Sequence, residues 1–180
     1  KNITIIVTFL MFIVAIISIA AKDIIVFLLG NEYHSAAKIM PFLVFMPLLY
    51  TISEVTSIGI NFMKKIHWHL IISIITCVTN ILFNWLFVPK YGALGASIAT
   101  AISYIVFFAL RTIVSQKYFK VQYPLVRIYI MIIILAIYST IVININSIFY
   151  NIVLGLISLL ILVVFFYKDL VYIAKNRRII

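Results

Sequence analysis

The fold of this chain depends on residues 88–100, which read Val88-Pro89-Lys90-Tyr91-Gly92-Ala93-Leu94-Gly95-Ala96-Ser97-Ile98-Ala99-Thr100. This stretch separates two apolar runs. Proline lacks an amide hydrogen and disfavours helix at the residue before it, so we expect one helix to end at Val88. The next helix starts with small residues that share one face: Gly92, Gly95, Ala96 and Ala99. Because small side chains let two backbones approach closely, we predict that this face lies in a helix–helix contact.

The composition indicates a membrane protein. Hydrophobic residues make up 66% of the chain and charged residues only 10%, whereas soluble proteins carry about 25% charged residues. The net charge of +10 raises the question of nucleic acid, but the basic residues lie between the apolar runs. That position suits contact with anionic lipid, so we expect no nucleic-acid binding. The one cysteine, Cys77, excludes a disulfide framework and a cysteine metal cluster.

The apolar runs predict an all-α polytopic bundle of about six spans, since a span needs about 20 apolar residues. The predicted spans are 3–21, 39–60, 70–88, 93–114, 128–145 and 149–167. Pro41 and Pro47 should kink the second span. Lys22 and Asp23 are expected at the water interface, and the polar cluster 144–147 with Asn151 is expected to form the last turn. A basic tail, 168–180, is expected along the membrane surface.

The basic residues also predict an orientation. When loops are assigned alternately to the two sides, eleven of the fourteen Lys and Arg residues fall on one side: Lys1, Lys64, Lys65, Arg111, Lys117, Lys120, Arg127, Lys168, Lys175, Arg177 and Arg178. The other side receives Lys22, Lys38 and Lys90. The positive-inside rule then places both ends of this chain in the cytoplasm and Lys90 outside.

Polar side chains inside the predicted spans are the candidate site residues: Glu54, Asn80, Asn84 and Arg111. Glu54 either reaches the cytoplasmic headgroups or forms a proton or cation site that changes protonation during transport. Asn80 and Asn84 lie one turn apart on one helix face, where they either bond to another helix or line a polar cavity. Arg111 lies near a span end, where it either anchors the helix at the interface or binds anionic head groups.

The sequence offers little for catalysis. Its four acidic residues are scattered, and His67 and His69 have a spacing that does not share a helix face. A zinc-binding His-Glu-x-x-His pattern and a glycine-rich phosphate loop are both lacking. We therefore predict no metal site, no cofactor and no enzymatic activity.

Two segments resemble a known transporter family. Residues 80–100 combine paired Asn80 and Asn84 with Pro89-x-Tyr91-Gly92-x-x-Gly95-Ala96 and then small residues. This pattern resembles the penultimate-helix signature of Wzx-type polysaccharide flippases, which are related to multidrug exporters and to the lipid II flippase. Residues 29–33, followed by Ala36-Ala37, are similar to the Gly-x-x-Tyr segment that closes an earlier helix in that family. The resemblance covers roughly residues 24–118, and the last two spans match only the extra helix pair of longer members.

The resemblance implies that the chain is the C-terminal part of a transporter of about twelve to fourteen spans in the bacterial cytoplasmic membrane. Its substrate would be an undecaprenyl-diphosphate-linked oligosaccharide, flipped by alternating access of two helical lobes. Implied partners are membrane lipids, and a polysaccharide polymerase and glycosyltransferases. The alternatives are a multidrug or lipid II exporter of the same superfamily, a membrane-embedded transferase, and a non-transporting assembly scaffold.

Overall fold

The computed structural model describes residues 2–24, 34–145 and 147–176. Its helices are α1 (Asn2–Ala20), α2 (His34–Leu43), α3 (Phe45–Thr56), α4 (Ile58–Phe62), α5 (His67–Tyr118), α6 (Leu125–Asn144) and α7 (Ile148–Asn176). Over the described ranges, five helical segments are long and apolar enough to cross a membrane: Asn2–Ile24, Ala36–Thr56, His67–Tyr118, Leu125–Asn144 and Ile148–Lys175. The prediction of an all-α polytopic helical bundle is confirmed, and the protein is embedded in a membrane.

One of the five segments contains two of the predicted spans. Helix α5 runs for 52 residues and is broken only at Gly92, whose backbone has φ 57° and ψ −132°. The break folds α5 into a hairpin with a first arm, residues 67–91, and a second arm, residues 93–118. The Trp68 indole donates to the Tyr118 hydroxyl at 2.9 Å, so the far ends of the two arms meet.

Two details of this hairpin differ from the prediction. The first arm continues through Val88 and Pro89 as far as Tyr91, so the expected helix end at Val88 is wrong. Because Pro89 has no amide hydrogen, the first arm lacks one backbone hydrogen bond near its end. The helix continues for two more residues despite that loss. Gly92 is exposed, and a Cβ built on it would meet no described atom within 4 Å. Gly92 therefore forms the turn, where a positive φ favours glycine, and the packing role predicted for it is wrong.

The predicted second span, 39–60, is divided among α2, α3 and α4. Helix α2 ends at Leu43 and α3 begins at Phe45. Pro47 cannot donate a hydrogen bond to the carbonyl of Leu43, four residues earlier, and the helix is interrupted at that point. A second interruption, at Ser57, has no proline. There the Ser57 hydroxyl donates to the Glu54 carbonyl at 3.2 Å, and such side-chain bonds compete with the helix backbone.

The described chain divides into two compact units. The first comprises residues 1–41 and 123–180, and the second comprises residues 42–122. In the first, which we call the α1/α6/α7 unit, the Phe9 ring of α1 lies 6.2 Å from the Phe166 ring of α7. Buried side chains from all three helices fill its core: Phe12, Ile16, Ile19, Met131, Leu135, Val142, Leu162 and Phe166.

Two polar predictions for the α1/α6/α7 unit are wrong. Lys22, expected at the water interface, has only 5% of its surface exposed. Asn151, expected in the last turn, lies in the first turn of α7 and is fully buried. Helix α7 continues to Asn176, so residues 168–176 extend the last helix, and the expected position of the basic tail along the membrane surface stays a prediction. Residues 177–180 lie outside the described part, as do Lys1 and residues 29–33 of the second family-like segment.

The second unit, which we call the α3–α5 unit, is held together by apolar packing and by hydroxyl groups. Thr56 of α3 and Thr112 of α5 share a hydrogen bond of 2.9 Å between their hydroxyls. The backbone N–H of Gly59 in α4 donates to the Ser115 hydroxyl at 2.9 Å. A Cβ on Gly59 would lie 2.3 Å from the Ser115 carbonyl oxygen. Helix α4 therefore approaches the second arm of α5 at backbone distance.

Candidate functional site

The α3–α5 unit contains a cleft between α3 and the two arms of α5, with a volume of about 470 Å³. Its polar lining comes from both arms of α5: Ser73, Thr76, Cys77, Asn80, Thr100 and Ser103. The first-arm residues recur every three or four positions, so they lie on one helix face. Large apolar side chains cover the outer surface of the first arm: Ile74, Val78, Ile81, Leu82 and Trp85. A polar face on an otherwise apolar membrane helix marks a place for water or a polar ligand.

Three hydroxyl groups of the cleft use their hydrogens within their own helices. Thr76 donates to the Ile72 carbonyl at 2.8 Å, Thr100 to the Ala96 carbonyl at 2.9 Å, and Ser103 to the Ala99 carbonyl at 2.7 Å. Each hydroxyl oxygen keeps lone pairs that can accept further hydrogen bonds. The cleft therefore offers acceptor oxygens to a ligand that carries many donors.

The two asparagines of the family-like segment, Asn80 and Asn84, lie toward the Gly92 end of the first arm. The Asn84 amide donates to Asn80 Oδ1 at 2.8 Å and to the Asn80 carbonyl at 2.9 Å. The Asn80 amide donates to the Thr100 hydroxyl of the second arm at 3.5 Å. Asn80 both lines the cleft and contacts the other arm, whereas Asn84 holds the Asn80 side chain in place.

Aromatic rings form the apolar wall of the cleft. The Tyr50 ring of α3 stacks on the Phe107 ring of α5, with centroids 6.0 Å apart and planes 8° from parallel. The Tyr104 ring packs against Phe107 at 5.7 Å. The Arg111 guanidinium carbon lies 5.9 Å from the Tyr50 centroid and 5.1 Å from the Phe107 centroid. Both distances are within cation–π range, so the positive charge of Arg111 lies next to the aromatic wall.

Arg111 is the centre of a polar network. Its Nη1 donates to the Glu54 carboxylate at 2.7 Å and to the Ser53 hydroxyl at 2.8 Å. Its Nε donates to His69 Nδ1 at 3.4 Å. The Arg111 side chain is 8% exposed and the Glu54 side chain 44% exposed. The guanidinium is thus enclosed by the protein, and the carboxylate is open to whatever surrounds this end of the hairpin.

The small residues after Gly92 lie at the closest approach of the two arms. A Cβ built on Gly95 would lie 2.5 Å from the Phe87 carbonyl oxygen and 2.6 Å from the Phe87 carbonyl carbon. Ala99 is fully buried, and Ala96 is partly buried. Gly95 therefore occupies a position where only a hydrogen fits between the arms.

From the sequence, Glu54 and Arg111 are separate candidates, and the aromatic wall is not predicted. Opposite charges inside the second and fourth predicted spans are the signal that could have paired them. The periodicity of Ser73, Thr76, Cys77 and Asn80 could have indicated the polar face. In the described part of the chain, no group of three His, Cys, Asp or Glu side chains lies close enough to bind a metal ion.

Comparison with protein-family models, with curated proteins and with solved structures finds no match to this chain.

Proposed function

We propose that this chain is the C-terminal part of a transporter that flips undecaprenyl-diphosphate-linked oligosaccharide units across a bacterial cytoplasmic membrane by alternating access. The observation that carries the proposal is a cleft of about 470 Å³ that places hydroxyl and amide groups beside an aromatic wall inside an apolar membrane unit. The resemblance of residues 80–100 to polysaccharide flippases supports it. In that family two lobes rock about a central cavity, and this chain supplies helices of the second lobe.

The chemistry of the cleft suits a sugar. A saccharide carries many hydroxyl donors, and the cleft presents the acceptor oxygens of Thr76, Thr100 and Ser103. A sugar ring also has an apolar C–H face, which packs on an aromatic ring such as Tyr104 or Phe107. The apolar outer face of the first arm is free to contact the acyl or isoprenoid chain of a lipid. A polar headgroup in the cleft and a lipid tail outside it is the arrangement that lipid flipping requires.

The other candidate functions fit the cleft less well. A multidrug exporter favours an apolar pocket for apolar cations, whereas this cleft places hydroxyl and amide groups beside its apolar wall. A lipid II exporter shares the saccharide chemistry and stays an alternative within the same proposal. A membrane transferase would need positioned acids or histidines at the cleft, and Glu54 and His69 both bind Arg111 instead. A scaffold that recruits a polymerase and glycosyltransferases needs no polar cleft.

The test removes single polar groups from the cleft and compares the export of these variants with that of matched variants altered outside it. Thr100→Val and Asn80→Leu change the cleft, whereas Thr140→Val and Asn144→Leu change exposed positions on α6. The controls are close matches, because Thr140 and Asn144 also donate to their own helix backbone, at 2.8 Å and 3.0 Å. The full-length protein that contains this chain is expressed in a strain lacking its own flippase. Surface polysaccharide and membrane protein level are then measured together.

We expect Thr100→Val and Asn80→Leu each to lower export by about five- to tenfold at normal protein level, the effect of one lost hydrogen bond of about 1 kcal/mol. Thr140→Val and Asn144→Leu should leave export unchanged. Equal export by all four variants would refute a role of the cleft in transport. Flipping of purified undecaprenyl-diphosphate saccharide in proteoliposomes separates transport from a scaffold role, since a scaffold would show no flipping.

A further inference from the structure

A buried ammonium group lies at the C-terminal end of α6, in the α1/α6/α7 unit. Lys22 Nζ donates to the Val142 carbonyl and, at 3.1 Å, to the Ile145 carbonyl. These carbonyls belong to the last turn of α6 and to the residue after it. The last carbonyls of a helix lack the usual partners of the next turn and form the negative end of the helix dipole. Besides the ammonium, the Val142 carbonyl accepts the Ile145 N–H at 3.3 Å. Lys22 therefore supplies a positive charge at a point where the backbone presents concentrated negative charge.

A carboxylate completes the negative side of this site. Asp23 Oδ1 lies 3.8 Å from Lys22 Nζ, and Asp23 Oδ2 accepts a hydrogen bond of 2.8 Å from the Asn151 amide. The same amide donates to the Ala20 carbonyl at 3.2 Å. Asn151 thus holds the Asp23 carboxylate against the end of α1.

A second layer keeps Asn151 in place. The buried Tyr138 hydroxyl donates to Asn151 Oδ1 at 2.8 Å. Gly155 makes room for that hydroxyl, because a Cβ there would lie 3.0 Å from it. Asn151 is fully buried and Tyr138 is 3% exposed. The oxygen ligands around Lys22 are therefore positioned by the fold and do not depend on Lys22 alone.

Two backbone carbonyls at a helix end and one carboxylate are the ligands that transporters use for alkali cations. Hard cations bind oxygen ligands, and helix C-terminal ends coordinate Na⁺ in membrane transporters. Here the positive charge among those ligands is an ammonium tethered to the chain. We propose that the Val142 and Ile145 carbonyls with Asp23 form a monovalent-cation site that the Lys22 ammonium occupies, and that Na⁺ or K⁺ binds there when Lys22 is neutral or absent. This inference does not rest on the proposed transport of oligosaccharides.

The charged and titratable groups that face this site come from each neighbouring helix. Asp23 attracts the ammonium, whereas Lys38 of α2 is close enough to repel it. Tyr138 of α6 reaches the site through Asn151. With Lys22 removed, the Asp23 carboxylate, whose side chain is 16% exposed, is left beside the Val142 and Ile145 carbonyls without the positive charge that now faces it. Leaving a partly buried charge without its partner is destabilising. An alkali cation at the site would relieve that cost.

The test replaces Lys22 and varies the cation of the buffer. Lys22→Met removes the charge, and Lys22→Gln is a second variant that keeps a donor for the carbonyls. The full-length protein is purified in detergent, and its Tm is measured by far-UV circular dichroism in NaCl, KCl and choline chloride at equal ionic strength. Lys38→Met is the matched control, since it removes one positive charge from an exposed position in the same unit. Lys22→Met/Asp23→Asn removes the carboxylate as well.

We expect NaCl or KCl to raise the Tm of both Lys22 variants by about 3 °C or more over choline chloride when the cation exceeds its Kd about tenfold. The wild type, Lys38→Met and the double variant should show no such difference. Equal Tm values for the Lys22 variants in all three salts would overturn the proposal. Failure of both Lys22 variants to fold in NaCl and KCl as well as in choline chloride would overturn it too, because a bound cation should replace the missing charge.

Discussion

The pair formed by Glu54 and Arg111 changes how each residue is interpreted. From the sequence, Glu54 either reaches the cytoplasmic headgroups or changes protonation during transport, and Arg111 either anchors a helix or binds head groups. Their atoms lie 2.7 Å apart in the structure. Because the Arg111 side chain is only 8% exposed, its charge depends on Glu54 and on the hydroxyl of Ser53. The transport role of Glu54 stays a prediction, and the pairing adds a structural role.

We expect Glu54→Gln to lower the free energy of unfolding by about 2 kcal/mol, because it leaves an enclosed guanidinium without its carboxylate. This value is below that for a fully buried pair, since Glu54 is 44% exposed. Arg111→Gln should cost a similar amount. The double variant should cost clearly less than the two single effects added together, as measured by a double-mutant cycle on thermal unfolding in detergent.

The Arg127–Asp169 pair of the α1/α6/α7 unit is the matched control. Its side chains are 39% and 27% exposed, so its arginine is much more open than Arg111. An exposed ion pair contributes little, and its coupling energy should be smaller. Strictly additive effects of Glu54→Gln and Arg111→Gln would show that the two charges do not stabilise each other.

If Glu54 also takes part in transport, Glu54→Gln should slow export and Glu54→Asp should keep part of it.

The α5 hairpin shows how one glycine sets a turn and another sets a contact. Gly92 adopts a conformation that other residues rarely reach, so the chain reverses there. Gly95, three residues later, lets the second arm approach the backbone of Phe87. The prediction that Val88 ends the first helix is wrong, because Pro89 disrupts only the last turn before a break that Gly92 makes in any case.

We expect Gly95→Ala to destabilise the protein, since its new Cβ would lie 2.5 Å from a backbone oxygen that cannot move independently. Gly95→Leu should be worse, and overpacking of this kind costs on the order of 1–3 kcal/mol. The measurement is thermal unfolding of the full-length protein in detergent. Ala93→Leu is the control, because Ala93 is an exposed residue two positions away in the same arm. If Gly95→Leu is as stable as Ala93→Leu, the two arms do not meet at Gly95.

The α5 hairpin also connects the charge distribution to the orientation of the protein. Its first arm, residues 67–91, has a length of about 37 Å at 1.5 Å per residue, enough to cross the hydrocarbon core of a bilayer. Lys65 lies just before this arm and Lys90 at its far end, and both side chains are exposed. The positive-inside bias predicts that Lys65 faces the cytoplasm and Lys90 the outside.

The orientation is tested with single cysteines in a Cys77→Ser background. Lys90→Cys should react with a membrane-impermeant maleimide on intact cells, whereas Lys65→Cys should react only after the membrane is opened. The cysteine-free background sets the level of unspecific labelling. Equal labelling of both positions on intact cells would contradict the predicted topology.

Hydropathy alone identifies this protein as a helical membrane protein, because no soluble fold could bury so many apolar residues. The predicted span 3–21 corresponds to α1, and the spans 128–145 and 149–167 correspond to α6 and α7. Both arms of the α5 hairpin also follow from the sequence, since glycine and proline separate two long apolar runs. The interruption near Pro47 follows from the missing amide hydrogen of proline.

The tertiary structure alone decides which polar side chains meet. Glu54 and Arg111 are 57 residues apart, and Lys22 lies 120 residues from the carbonyl that it binds. These helices are apolar on nearly every side, so the spacing of apolar residues does not say which face turns toward the protein and which toward lipid. A small rotation of a helix would bring a different set of polar groups together at the same hydropathy. Close packing at Gly59 and Gly95 selects one rotation in the α3–α5 unit, and the cleft follows from that choice.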